Sequence, residues 1–189
     1  MRHAFPGGTP ALDFPGTLRF RHRPEPREDL DSPADLSIWF REAGITEDDI
    51  PVGTADRRKA LALREAAYPL ILAAMADREY DPDALALVNH HAAGPTPVPR
   101  LTPTGRRVDA TVDQALAHVA RDVVAALSGP DVPLFKECGN SECSQVFIDR
   151  SRGARREWCA MDPCGNKIKA AAYRARKRAG THSITGRSR

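Results

Sequence analysis

All four cysteines of the 189-residue chain lie in its last third, and their spacing constrains the fold more than any other feature. The pairs are Cys138-x4-Cys143 and Cys159-x4-Cys164, with fifteen residues between them. Each pair supplies two thiolates from one turn, and the gap lets the chain double back as a hairpin. The spacing predicts a four-thiolate site for one structural zinc ion per chain, because four sulfur ligands leave no coordination position open for catalysis.

Other states of the four cysteines are less consistent with the sequence. An iron–sulfur cluster uses the same ligands and is the alternative metal group, and unliganded thiols are the remaining possibility. The N-terminus lacks the apolar stretch of a signal peptide, and no run of about 18 apolar residues occurs, so we expect a cytoplasmic protein without a membrane partner. In that reducing compartment a metal site is favoured over disulfides.

The segment before the cysteines predicts a mainly α-helical domain. Leu18 and Phe20 alternate with arginines, which favours a short strand or an extended segment. Residues 94–108 are rich in proline and predict a loop with a small hairpin. Apolar periodicity between start and stop signals predicts four helices: one from Ser32 to Gly44, one from Thr54 to about Arg78, one from Asp81 to Gly94, and one from Thr111 to about Ser128.

The break Gly129-Pro130-Asp131-Val132-Pro133 predicts a domain boundary. We therefore divide the chain into an α-rich domain at residues 1–130, a zinc finger at 131–180 and a basic disordered tail at 181–189. The predicted fold class is mainly α with a few short strands, followed by a small treble-clef-like finger made of a β-hairpin and a helix.

The treble-clef prediction rests on what flanks the cysteines. Residues 134–137 and 145–149 predict the two strands of a hairpin whose turn carries the first pair. Cys164 precedes a strongly helical stretch from Lys167 to Arg178, and a helix N-terminus stabilises a thiolate. In that helix, Ile168, Ala171, Ala172 and Ala175 share a face, which we expect to pack on the hairpin.

Positive charge coincides with the finger. Residues 150–189 hold twelve Lys and Arg against two acids, a net charge of +10, whereas residues 1–149 have a net charge of −7. Acids are too few for intrahelical ion pairs to explain this composition, so we expect contact with a polyanion. The candidate nucleic-acid-binding residues are Arg150, Arg152, Arg155, Arg156, Lys167, Lys169, Arg174, Arg176, Lys177 and Arg178.

The finger resembles the CGNR zinc-finger proteins. The resemblance is carried by Trp158-Cys159-Ala160-Met161 and Cys164-Gly165-Asn166-Lys167, with Lys169 and Tyr173-Arg174-Ala175-Arg176 following. The N-terminal part is similar to the ABATE domain, which commonly precedes this finger, at Leu12-Asp13-Phe14, Thr17-Leu18, residues 36–44 and Leu63-Arg64-Glu65. Together the two resemblances cover nearly the whole chain and imply a bacterial stress-induced transcription regulator.

Two positions depart from the family patterns. The fourth residue of the finger motif is usually Arg and here is Lys167, which keeps the charge but loses the bidentate geometry of a guanidinium. The N-terminal pattern usually reads Leu-Asp-Phe-Val-Asn-Thr, whereas Pro15 and Gly16 precede Thr17 in this chain. Any contact that the family makes through this Asn is therefore absent here.

We expect a DNA-binding regulator whose N-terminal domain senses a small-molecule effector or forms a homodimer. A zinc-finger adaptor for an acidic protein is the alternative, and RNA binding is a third hypothesis, since only Tyr173 among the helix's basic residues offers a stacking surface. An enzyme is not expected, because no Ser/His/Asp constellation, phosphate loop or HExxH motif occurs. Candidate residues of a ligand pocket are Asp13, Arg19 and Trp39.

Overall fold

The computed structural model describes residues 2–182. Its helices are α1 (Pro10–Asp13), α2 (Pro33–Glu42), α3 (Thr54–Met75), α4 (Pro82–Ala92), α5 (Val112–Ser128) and α6 (Asn166–His182), and its strands are β1 (Leu18–Arg19), β2 (Arg27–Glu28), β3 (Val98–Thr102), β4 (Gly105–Asp109), β5 (Phe135–Glu137) and β6 (Val146–Ile148). The strands pair in order as three antiparallel hairpins, β1 with β2, β3 with β4, and β5 with β6. This architecture confirms the predicted fold class.

Local capping explains where the long helices begin. Ser32 and Asp35 exchange hydrogen bonds as a capping box at the start of α2, and Thr111 and Gln114 do the same for α5. The side chain of Asp81 accepts from the N–H of Ala84 at the start of α4. At α3 the N-cap is Gly53, one residue before the Thr54 that the sequence predicts, with Asp56 accepting from its N–H.

The main core lies between α2, α3, α4 and α5. Trp39 is fully buried and contacts the rings of Phe14 and Phe40, with ring centroids 4.8 Å and 5.9 Å away. Arg64, which is 3% exposed, donates two hydrogen bonds to the Glu28 carboxylate, at 2.6 and 2.8 Å. This bidentate pair ties β2 to α3, so the N-terminal segment is fixed against the helices.

A second buried cluster joins the finger to the helical domain. This cluster contains Phe135 of β5, Val146 and Ile148 of β6, Leu12 of α1 and Ile71 of α3. The N–H of Ile148 also donates to the carbonyl of Gly7 at 3.1 Å. The hairpin is therefore continuous with the core of the N-terminal part rather than separated from it by an open gap.

The short strand expected at Leu18 is present as β1, but the residues before it form helical turns that the sequence did not predict. Thr9 caps the short helix α1, and a 3-10 turn at Pro15–Thr17 follows it before β1 begins at Leu18. Among residues 2–182, no helix combines the length and the apolar character needed to cross a lipid bilayer. The helix after the last cysteine is longer than predicted and extends to His182, while residues 183–189 of the predicted tail lie outside the described residues.

Candidate metal centre and nucleic-acid interface

The four cysteines converge into one buried cluster. All four are free thiols with 2–6% of their surface exposed, and their Sγ atoms lie within 4.8 Å of one another. The Sγ atoms of Cys159 and Cys143 are 3.9 Å apart, and those of Cys159 and Cys164 are 3.8 Å apart. A tetrahedral zinc ion with Zn–S distances of about 2.3 Å places its sulfurs about 3.8 Å apart. The donor set therefore fits one structural zinc ion.

The first pair of cysteines is held by the turn between β5 and β6. The N–H of Gly139 donates to the carbonyl of Glu157 at 2.7 Å, which brings this turn against the loop leading to Cys159. The buried Asn140 amide donates to the Sγ of Cys164 at 3.6 Å, and the N–H of Cys159 points at the Sγ of Cys138 at 3.4 Å. Such N–H donors stabilise negative charge on the thiolates.

The second pair lies at the start of α6, as the sequence predicts. Cys164 belongs to an irregular turn, Met161–Gly165, which runs directly into the helix. A Cβ at Gly165 would lie 2.9 Å from the Sδ of Met161 and 3.2 Å from the ring of Trp158, so glycine lets both side chains pack closely on this turn. Cys164 lies only two residues before the first residue of α6, so a metal ion bound by Cys164 positions the start of the helix.

The thiols differ in acidity because they are buried together. A hydrogen bond from Cys159 lowers the pKa of Cys143 to about 5. Burial raises the pKa of Cys164 to about 11, even though Asn140 donates to it. A zinc ion bound to four thiolates displaces the protons that these groups hold, so metal affinity should rise with pH.

Contacts that the sequence did not predict fix the finger on the N-terminal part. The buried Gln145 amide donates to the carbonyl of Gly16 at 2.5 Å, and the Oγ of Ser144 accepts from the N–H of Arg21 at 3.2 Å. Glu142 accepts from Arg23 at 2.6 Å and also pairs with Lys167 of α6. The segment at residues 16–23 therefore contacts the turn that holds the first cysteine pair.

The basic loop between the hairpin and Cys159 is organised by one buried carboxylate. Asp149 is 1% exposed and accepts from Lys136 at 2.8 Å, from the N–H and hydroxyl of Ser151, and from the N–H of Arg156. The hydrogen bond from Lys136 is the largest of the contacts that hold the pKa of Asp149 well below its usual range. Arg155, in the same loop, is left exposed.

Arg150, Arg156 and Lys167, three of the ten candidate nucleic-acid-binding residues, contact carboxylates or carbonyls within the protein. Arg150 pairs with Asp131 at 2.5 Å, and Lys167 pairs with Glu142. Arg156 donates to the carbonyls of Trp158 and Cys159, and its guanidinium lies 4.3 Å from the centre of the Phe147 ring. These contacts give Arg156 a structural role beside the metal site.

The other candidates lie on the surface. Within residues 2–182, no described carboxylate pairs with six of them, and Lys169 lies 5.4 Å above the ring of Trp158. We call these six the free cations: Arg152, Arg155, Lys169, Arg174, Arg176 and Arg178. Lys177 is also exposed.

The expected packing of the α6 face on the hairpin is wrong. Ile168 is half-buried, but Ala171, Ala172 and Ala175 are exposed, as is every other side chain from residue 169 to 178. The helix leaves the body of the protein directly after its first turn. Helical periodicity indicated correctly which residues share a face, but it carries no information on whether another element covers that face.

The comparisons with known proteins agree with this geometry. A family model described as "ABATE: Putative stress-induced transcription regulator" matches residues 8–130, more than half of the chain. The chain belongs to the ABATE family. A second model, the CGNR zinc finger, matches residues 135–177, which include all four cysteines. A search of curated proteins gave no match. Both predicted family resemblances are therefore confirmed, one to a family described as regulators and one to a zinc-finger family.

The departures from these family patterns lie at contacts within the protein. Lys167 reaches Glu142, a bond that needs only a single point charge. A Cβ at Gly16 would lie 2.2 Å from the Gln145 side chain, so Gln145 occupies the space beside the position where the ABATE pattern usually has Asn. Because residue 16 is glycine in this chain, the Gln145 side chain of the finger can lie against it.

The three candidate ligand-pocket residues lie in different surroundings. Trp39 is fully buried in the aromatic core, and Arg19 lies 3.6 Å from Asp29. Asp13 is 4% exposed and accepts from the N–H of Gly7 at 2.6 Å. Its pKa is raised to about 7, chiefly by burial. A separate cavity of about 170 Å³, lined by apolar side chains including Leu70 and Val123, lies between α3, α4 and α5.

Proposed function

We propose that this chain is a transcription regulator that binds DNA through its zinc-stabilised basic finger, with an N-terminal domain that senses a ligand or forms a dimer. The observation that carries the proposal is the coupling of the metal site to α6. Cys164 lies two residues before the first residue of α6, and the turn between them is held by the packing of Gly165 on Met161 and Trp158. Zinc therefore sets the position from which the cationic helix projects.

The distribution of unpaired charge supports a polyanionic partner. Four of the six free cations lie on α6, and the other two lie in the loop that Asp149 organises. Exposed arginines and lysines without carboxylate partners are the groups that replace counterions on a phosphate backbone. If all six contact phosphates, the logarithm of the binding constant should fall with the logarithm of salt concentration at a slope of about −5.

The zinc-loaded full chain can be titrated into labelled duplex DNA, with binding followed by fluorescence anisotropy over a series of salt concentrations. The double variant Arg174→Gln, Arg176→Gln should bind more weakly and reduce the slope by about 2. The double variant Arg58→Gln, Arg78→Gln is the matched control. Both arginines are exposed and belong to the N-terminal part, and the two double variants change the net charge by the same amount. Absence of salt-sensitive DNA binding by the zinc-loaded protein would contradict the proposal.

The sensing or dimerising role is the second part of the proposal. The apolar cavity between α3, α4 and α5 supports ligand binding, and its rim carries Leu85 and Val124, which are 38% and 41% exposed. Light scattering over a range of protein concentrations measures the oligomeric state. A monomer whose thermal stability no small apolar compound shifts would contradict this part and leave the DNA-binding part intact.

A further inference from the structure

The order of the side chains around α6 indicates more about its partner than its net charge does. From residue 169 to residue 178 every side chain of the helix is exposed, and at its start Lys169 lies over the ring of Trp158. These residues form a helical rod that has no buried face. A helix without a packed apolar face gains no stability from burial against the rest of the protein, so its side chains are available to a partner.

The side chains of this rod follow a definite order around its axis. At about 100° per residue, the small side chains of Ala171, Ala172 and Ala175 share one face with Ile168. One cationic row borders this face and a second row borders it on the other side, so the rows are separated by roughly 180° around the axis. The first row is Arg174 and Arg178, continued toward the N-terminus by Lys167, which pairs with Glu142, and the second is Lys169 and Arg176. We call the alanine side the small-residue face.

The geometry points to the major groove of duplex DNA as the place where α6 binds, with the small-residue face toward the base edges and the two cationic rows toward the phosphates of the two strands. This inference rests on the proposed function and specifies its partner. The major groove of B-DNA is about 12 Å wide, and a helix with short side chains on the inserted face enters it without a clash. Long cationic side chains on both flanks then reach a backbone on either side.

The same arrangement disfavours other polyanions. The major groove of A-form RNA is too deep and narrow to admit a helix, and single strands are bound through aromatic stacking surfaces. On α6 the one aromatic side chain, Tyr173, lies away from the small-residue face, on the side of Ala170 and Lys177. A single acidic surface of a protein partner would require one cationic row, whereas two opposed rows match the two strands that border a groove.

A pair of neighbouring substitutions tests the inference. Ala171→Glu places a carboxylate on the small-residue face, and the control Ala170→Glu places the same group on the opposite side of the same helix turn. Both alanines are exposed, both variants change the net charge equally, and both new carboxylates lie one turn from Arg174. Since glutamate has nearly the helix propensity of alanine, α6 should form in both, which circular dichroism verifies.

Binding of the zinc-loaded full chain to a DNA duplex of about 20 base pairs is measured by anisotropy, together with an RNA duplex of the same sequence. We expect Ala171→Glu to weaken DNA binding about tenfold or more and Ala170→Glu to weaken it about threefold or less, because only the first carboxylate faces the bases and both backbones. The major-groove ligand methyl green should compete with the protein, and the minor-groove ligand netropsin should not.

Equal losses in the two variants, an unchanged affinity of Ala171→Glu, or tighter binding of the RNA duplex would overturn the groove placement. Ala175→Glu provides a second variant on the same face and should behave as Ala171→Glu does. Failure of the unsubstituted protein to bind DNA at all would instead remove the proposed function, so the two failures are distinguishable.

Discussion

Substitution of Gly16 by alanine should loosen the finger from the helical part of the protein. The new Cβ would lie 2.2 Å from the Oε1 and 2.6 Å from the Nε2 of Gln145, a side chain that is 3% exposed and cannot swing out into solvent without leaving its buried position. Displacing Gln145 also breaks its 2.5 Å hydrogen bond to the Gly16 carbonyl. The overpacking costs about 1–3 kcal/mol and the lost buried hydrogen bond about 1–2 kcal/mol.

Part of this cost is offset in the unfolded chain. Replacing glycine by alanine reduces the entropy of the unfolded state by about 0.4–1 kcal/mol, so the net loss of unfolding free energy should be about 2–4 kcal/mol. Urea denaturation of the zinc-loaded protein, followed by far-UV circular dichroism, measures it. The control Gly53→Ala brings a Cβ no closer than 3.4 Å to another side chain and should cost less than about 1 kcal/mol.

A double-mutant cycle tests the physical reason. In a Gln145→Ala background the overlap is gone, so Gly16→Ala should cost less than about 0.5 kcal/mol there, and the coupling energy should be about 2 kcal/mol. An equal cost of Gly16→Ala in both backgrounds would refute the steric argument, and so would a single variant as stable as the unsubstituted protein.

Three further predictions concern the metal site and one buried carboxylate. The Arg156→Gln variant should release zinc to a chelator faster than the unsubstituted protein, and Arg155→Gln should not, because only Arg156 donates to the carbonyls of Trp158 and Cys159. Equal release rates of the two variants in a chromogenic chelator assay would contradict this. Chelation should release one zinc ion per chain and lower the helix content measured by circular dichroism, since the finger's core is small, and added zinc should restore it. Asp13 has a pKa raised to about 7 in the folded state, so the folded protein keeps a proton that the unfolded chain releases near pH 4, and stability falls as the pH rises from about 4 to 7. As the pH rises from about 4 to about 7, the free energy of unfolding of Asp13→Asn should therefore increase relative to that of the unsubstituted protein, by at most about 4 kcal/mol. If the unfolding free energies of the two proteins change with pH in parallel, the pKa of Asp13 is not raised.

The parts of the fold that depend on local chemistry could be predicted from the sequence. Ser32 and Thr111 each precede an apolar-periodic stretch with a partner three residues on, and both form the caps that this pattern predicts. The cysteine spacing predicted the metal site, because a tetrahedral ion needs two close pairs and a reversal of the chain. The helix α1 was missed although Thr9-Pro10 is a start signal, because only four residues follow it before the next turn.

Contacts between distant residues left no local pattern in the sequence. Gly16 and Gln145 are 129 residues apart, and neither a glycine after a proline nor a glutamine before a strand indicates a partner. The exposure of Ala171 and Ala175 was equally unpredictable, because periodicity shows a face and packing decides its cover. Arg156 was indistinguishable from Arg155 in the sequence, yet one supports the metal ligands and the other faces solvent.

The shared cluster of Phe135, Val146 and Ile148 with Leu12 and Ile71 bears on how such chains diversify. A zinc finger with its own closed core can be exchanged between genes by recombination, since it carries its stability with it. In this chain the apolar side of the hairpin is completed by α1 and α3, so a transplanted finger would expose apolar surface and meet a mismatched neighbour. Substitutions at the two sides of this seam should therefore accumulate together during evolution, and chimaeras should be soluble only when both sides come from the same parent.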